Sequence, residues 1–195
     1  MKSNRPKYHQ IIDAAVRVIA ENGYHGSQVS KIAKAAGVAD GTIYLYFKNK
    51  EDILVTVFQE KMGQFIERTI DEINNRKTAI DKLATLIEMH IKQLSSNHHL
   101  AIVTQLELRQ SNYDLRIQIN QVLKPYLTVI DNIIKEGMEE GGFREDLKVP
   151  LVRQMIFGTV DEMVTNWVMK ECKYDLIGEI PLISELILNG ICQKE

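Results

Sequence analysis

Thr42, Tyr44 and Tyr46 put three hydroxyl groups within five residues, and two of them sit on aromatic rings. Such groups hydrogen-bond phosphate oxygens and base edges, and the rings can rest on thymine methyls in a major groove. Lys50 follows closely and Ser27 precedes them. Both occupy expected helix N-termini, where backbone amides add donors for an anion. Nothing beside them can break a bond. His98 and His99 are adjacent, so on a helix they would point about 100° apart, a poor clamp for a metal ion. They are read as a solvated connector. His9 and His90 stand alone. Glu136, Glu139 and Glu140 read as a charged helix end, not as a paired acid and base. The chain has no G-x-S-x-G, no HExxH and no phosphate-binding loop. Cys172 and Cys192 match no ligand spacing. The chemistry on offer is binding: no enzyme, no catalytic residue, no metal and no cofactor are expected.

The elements that must position these groups read as helices. Prolines and glycines punctuate the chain, and no stretch sustains period-two alternation. A first helix is expected over about Lys7 to Asn22, ended by Gly23. A short one covers about Gln28 to Ala35, with Ser27 as its cap. Gly37 makes a tight turn, and a third helix runs from Asp40, read as its cap, to Tyr46. Asn49 starts a long fourth helix, favoured by Glu51 and Asp52 in its first turn. Thr78 with Asp81 marks another start. Further helices are expected over Leu100 to Gln110, about Tyr113 to Glu140 (as one helix or two), Pro150 to about Lys170, and from near Ile180 to Ile191.

Val29, Ile32 and Ala33 can pack inward at helical spacing, and Val38 and Ile43 can pin the next helix to them. This is the pattern of a helix-turn-helix whose second helix presents an outer face. Tyr44 reads either as part of that face or as a core ring with its hydroxyl showing. Phe47 reads as core, and Lys31 and Lys34 as a solvated face. The charge agrees. The first fifty residues hold eight basic and three acidic side chains, +5, while the other 145 hold 16 and 23, −7. A basic head on an acidic body suits a DNA reader, because phosphates supply most of the sequence-independent affinity. A hydrophobic content of 45% is enough for a packed core. The first ten residues lack the apolar run of a signal peptide, and no stretch of eighteen apolar residues occurs. With only two thiols, the chain is expected in a reducing cytoplasm, without a membrane.

The run AENGYHGSQVSKIAKAAGVADGTIYLYFKNKEDIL closely resembles the opening domain of TetR-type repressors. That resemblance implies an all-α, TetR-like fold. Residues 1–50 would form a three-helix DNA-binding domain and residues 51–195 a helical ligand-binding and dimerisation domain. It also implies that Thr42, Tyr44 and Tyr46 lie at the groove, that Ser27 and Lys50 grip phosphates, and that Gly41 lets the recognition helix approach the DNA backbone.

In the body, LAIVTQLELRQSN, RQMIFGTVDE and the WVM segment followed by KYDL resemble the TetR-type repressors of fatty-acid degradation in Bacillus-type bacteria. The implied effector is a long-chain acyl-CoA that releases operator DNA. An acyl slot needs apolar walls, and Leu106, Phe157, Val160 and Trp167 are the candidates. Arg109, with Gln110 beside it, is the candidate for the slot mouth and the CoA phosphates, or else for a structural salt bridge. Each buried methylene contributes roughly 0.8 kcal/mol, so a tail of about sixteen carbons supplies on the order of 10 kcal/mol before costs. The last two helices are apolar on more than one face. The expected use of the extra face is a homodimer seam, which would let two heads read a two-fold operator. Two other readings stay open: a repressor answering another lipophile such as a drug, and a helical lipid carrier or enzyme with an incidental basic head.

Overall fold

A computed structural model describes residues 6–193, so Lys2 and Arg5 of the basic head lie outside the described residues. The described chain is helical throughout: α1 Pro6–Gly26, α2 Val29–Ala35, α3 Asp40–Ile43, α4 Lys50–Asn74, α5 Ala79–Ser95, α6 His98–Glu107, α7 Tyr113–Glu139, α8 Val149–Met169 and α9 Ile180–Ile191. Among the described residues the only extended pairing is an isolated bridge between Phe143 and Cys192.

The helix boundaries follow local chemistry. Gly23 holds φ 67° inside α1, a left-handed conformation that kinks the helix where a stop was expected. Asn49 accepts the amide of Asp52 at 2.7 Å, and the Asp52 carboxylate accepts the amide of Lys48 at 2.8 Å, so two side chains cap the start of α4. Thr78 accepts the amide of Asp81 at 3.1 Å and starts α5. Pro150 and Pro181 occupy first turns of α8 and α9. The long segment after Tyr113 is one helix, with Pro125 inside it.

Three expectations are corrected. α2 is capped by Gln28, without a side-chain bond, and not by Ser27. Asp40 is the first residue of α3 rather than its cap, and α3 ends at Ile43, followed by turns through Tyr46. His98 and His99 open α6 instead of forming a connector. The ring of His98 lies edge-on to Trp167, with centroids 5.1 Å apart.

Two compact units emerge. The first comprises residues 1–63 with 99–122, and the second residues 64–98 with 123–195. A single cut at residue 50 was expected, but α6 and the beginning of α7 fall with the head. Its core joins Ile11, Ile12 and Ile19 of α1, Ile32, Ile43, Phe47 and Leu54 to Val103, Leu115 and Ile119. In the second unit α5 packs against α8 and α9. The ring of Phe143 lies so close over Gly137 that an added Cβ would sit 2.1 Å from it.

Candidate nucleic-acid interface and body site

The turn between α2 and α3 is built around Gly37, whose φ of 65° suits glycine alone at low cost. Val38 returns its amide to the Ala33 carbonyl at 3.0 Å, which closes the turn. Ile32 and Ile43 are fully buried across it, so α3 is fixed from beneath. What remains outward is a short apolar and aromatic tip. Tyr44 is 58% exposed and Leu45 69% exposed. Of the two readings of Tyr44, the exposed one holds.

Tyr46 is half-buried, its ring 6.1 Å from Tyr8 of α1 and 6.3 Å from Phe47. It presents less of itself than Tyr44 does. Leu45 escaped the sequence reading because a leucine among buried neighbours reads as core. In the structure it lies outward beside Tyr44. Thr42 is half-buried and Gly41 exposed on the same short helix.

Ser27 is a correction. It is fully buried, and its hydroxyl donates to the carbonyls of Val18 at 3.0 Å and Gly23 at 2.7 Å. Its amide donates to Tyr24 at 3.2 Å. Both donors are spent on backbone carbonyls at the kink near the end of α1.

Lys50 has a structural task that sequence alone did not reveal. Its ammonium donates to the carbonyls of Tyr24 at 3.0 Å and His25 at 3.3 Å, and lies 4.4 Å from the centre of the Tyr24 ring. It therefore staples the start of α4 to the end of α1. Glu107 of α6 completes the joint by accepting the Tyr24 amide at 2.8 Å. Burial raises the Tyr24 phenol to about 12, helped by Glu51 and Glu107.

Gly41 is a glycine that its own fold does not require. An added methyl there would meet nothing within 4 Å, and no unusual backbone conformation requires glycine. Gly41→Ala should therefore leave the fold intact and raise helix propensity by up to about 1 kcal/mol. If the position abuts DNA backbone, the same methyl should lower operator affinity by about tenfold, the equivalent of roughly 1.4 kcal/mol. Anisotropy titration and thermal unfolding measure the two effects, and unchanged affinity would remove Gly41 from the interface.

The expected effector residues fall in two groups. Leu106, Arg109 and Gln110 belong to the first unit. Leu106 is exposed. Arg109 is exposed in the turn after α6, not on the helix where it was expected. Gln110 is buried and donates to the Glu107 carboxylate, so its amide is a structural strut. Phe157, Val160 and Trp167 lie on α8 in the second unit. Val160 and Trp167 are buried, and the Trp167 indole donates to the Tyr174 carbonyl at 3.0 Å. Phe157 is half-buried beside an aromatic cluster, 6.2 Å from His90 and 6.3 Å from Tyr126, with Phe65 5.6 Å from His90. His90 was read as an isolated histidine. In the structure it is buried, with Nδ1 2.9 Å from the Tyr126 hydroxyl.

Burial pushes the His90 ring down to about 4 from 6.5. The unfolded chain therefore takes up this proton first as pH falls. The neutral ring's contribution to stability is complete above about pH 7 and is lost progressively toward about pH 4, by roughly 2 kcal/mol at pH 5. Urea unfolding of wild type and His90→Leu should reveal a difference that changes by that amount between about pH 7.5 and 5. Parallel pH profiles would mean that solvent reaches the ring.

Residues 11–57 match the family described as bacterial regulatory proteins, tetR family, and residues 58–190 match the C-terminal region of YsiA-like protein. The chain is 62% identical over 194 residues to the fatty acid metabolism regulator protein of Bacillus subtilis, covering 100% of both. It is similar to the crystal structure of the transcriptional regulator FadR from Bacillus subtilis in complex with stearoyl-CoA. The TM-score is 0.92 and the identity 62%, over 94% of this chain and 99% of that one. The fatty acid degradation regulator FadR from Bacillus halodurans matches with a TM-score of 0.91 at 60% identity, over 94% and 98% of the two chains.

Proposed function

Because the chain belongs to the TetR family of bacterial transcriptional regulators, we propose that it is a DNA-binding repressor of fatty-acid degradation genes, released from its operator by long-chain acyl-CoA. The observation that carries this is full-length 62% identity to a fatty acid metabolism regulator, with a relative of the same identity crystallised around stearoyl-CoA. The exposed tip at Tyr44 and Leu45, beside a glycine that the fold does not need, supports a groove-reading α3. Thr42, Tyr44, Tyr46, Gly41 and the adjoining Leu45 are the proposed DNA-facing residues. Lys50 acts there chiefly by holding α4 to α1.

The working form is a homodimer joined through α8 and α9. On α8, Leu151, Met155 and Met169 are exposed apolar side chains. On α9, so are Leu182 and Leu186. Exposed apolar side chains gathered on two consecutive helices are the kind of surface that supports a subunit contact. No described helix is long and apolar enough to cross a membrane, and the proposed place of action is the cytoplasm. The function needs no catalytic step.

Two measurements test the proposal. Mass spectrometry of the purified protein under native conditions should identify a bound long-chain acyl-CoA. Binding to DNA selected from a random pool should recover a two-fold sequence and weaken steeply with salt. A neutral lipophile in place of the acyl-CoA would transfer the effector role to a drug-like molecule. Absence of DNA selection would overturn the repressor reading.

A further inference from the structure

The ring cluster in the second unit holds an unexplained atom. His90 is 4% exposed, and its Nε2 has no hydrogen-bond partner among the described residues. Its walls are the rings of Phe65, Tyr126 and Phe157. A buried polar atom left without a partner is costly, and native proteins keep few of them. An apolar side chain would fill the same place without that cost. Phe157, whose ring lies beside both His90 and Tyr126, is only half-buried, so the cluster is not sealed on that side.

We propose that His90 Nε2 is the polar anchor of the effector site, donating a hydrogen bond to the thioester carbonyl of the bound acyl-CoA while Tyr126 fixes the tautomer. The inference rests on the acyl-CoA reading given above. The tautomer follows from the pair. Burial, with the Asp161 carboxylate adding to it, raises the Tyr126 phenol far above its ordinary range and keeps it protonated. Its hydroxyl donates to Nδ1 across the 2.9 Å contact. The neutral ring then carries its own proton on Nε2. An acyl-CoA has a single polar group between its alkyl tail and the pantetheine arm, the thioester, and the carbonyl oxygen of that group accepts one bond. A lone donor among aromatic rings matches this pattern. It registers where the tail begins, so chain length is measured from a fixed point. An alkyl chain without the carbonyl would offer Nε2 no acceptor.

The test compares stearoyl-CoA with S-octadecyl-CoA, the thioether that lacks only the carbonyl oxygen. Calorimetric titration of full-length wild type should show the ester binding about tenfold more tightly or better, the usual effect of denying a buried donor its partner. His90→Leu should bind the thioether about as well as wild type does and lose the preference for the ester. Tyr126→Phe releases the tautomer and should lose part of the preference. It carries the mutational arm if His90→Leu fails to fold. Equal affinity of wild type for ester and thioether overturns the anchor, as does a preference that survives in His90→Leu. If wild type binds neither compound, the acyl-CoA reading itself fails, an outcome distinct from loss of the anchor alone.

Discussion

Replacing Leu186 by lysine should separate the proposed dimer into monomers and abolish operator binding, while each chain keeps its helical content. The two neighbours on α9 divide the argument. Leu186 is 66% exposed, whereas Ile187 is 5% exposed and packs inside its own chain. Both are apolar, but only the first is available to a partner. An unpaired ammonium taken out of water costs several kcal/mol even after relaxation. Two-fold symmetry would bury one from each subunit. The dissociation constant should therefore rise by more than about a thousandfold. A single head loses the gain of simultaneous engagement, about 10²- to 10⁴-fold in affinity. Ile187→Lys is the contrasting variant and should unfold the chain. Sedimentation equilibrium and circular dichroism distinguish the two. A wild-type-like dimer of Leu186→Lys would move the seam elsewhere.

The second expected result is release of operator DNA by acyl-CoAs in a strict order of chain length. Free CoA should be nearly inert. Each pair of added methylenes contributes about 1.6 kcal/mol, so the midpoint of release should fall by more than about tenfold per two carbons until the slot is full. The response is a population shift. An effector that prefers the DNA-incompetent state by about 10⁴-fold moves the protein from almost wholly bound to almost wholly released. Operator DNA must weaken acyl-CoA binding by the same factor. α4 is a suitable carrier of the change. It places Phe58 in the core of the first unit and Phe65 against His90 and Tyr126 in the second. Arg109→Ala should raise the release midpoint by about tenfold or more, the loss of one hydrogen bond to a charged phosphate. Ligand-free operator affinity should stay the same. Release at wild-type concentrations would take Arg109 out of the phosphate site, and release by free CoA would mean that the tail is not what is sensed.

Much of this was legible in the sequence because it is decided locally. Thr78 with Asp81, Asn49 with Asp52 and the glycines at 23 and 37 each act within a turn or two of themselves, and helix starts and stops followed from them. Ser27 defeated the same reasoning. Its type suits a cap, but its hydroxyl is drawn back to two carbonyls of α1, four and nine residues earlier, at the kink that Gly23 makes. Tyr46 and Tyr44 exchanged prominence for a different reason. The residue that shields Tyr46 is Tyr8, 38 positions away and invisible to periodicity. Lys50 and Glu107 meet at Tyr24 from two further helices. His90 seemed isolated because Tyr126 is 36 residues distant. The misses at Tyr46, Lys50 and His90 are contacts of long sequence separation, formed by packing and not by propensity.

The membership of α6 and early α7 in the head unit bears on how such regulators can be recombined. The tetR family match ends at residue 57, which makes that position the obvious place to cut when grafting this head onto a foreign body. A graft cut there would leave behind Val103, Leu115 and Ile119, all nearly or fully buried in the head's core, and Glu107, which holds the Tyr24 amide. The transplanted segment would arrive with an open flank and an unanswered donor at its kink. The core of the head unit is therefore encoded in two separate stretches of gene. A chimaera that keeps the head's core intact must exchange residues 1–63 and 99–122 together, or redesign the foreign helices to supply the missing apolar faces and the carboxylate.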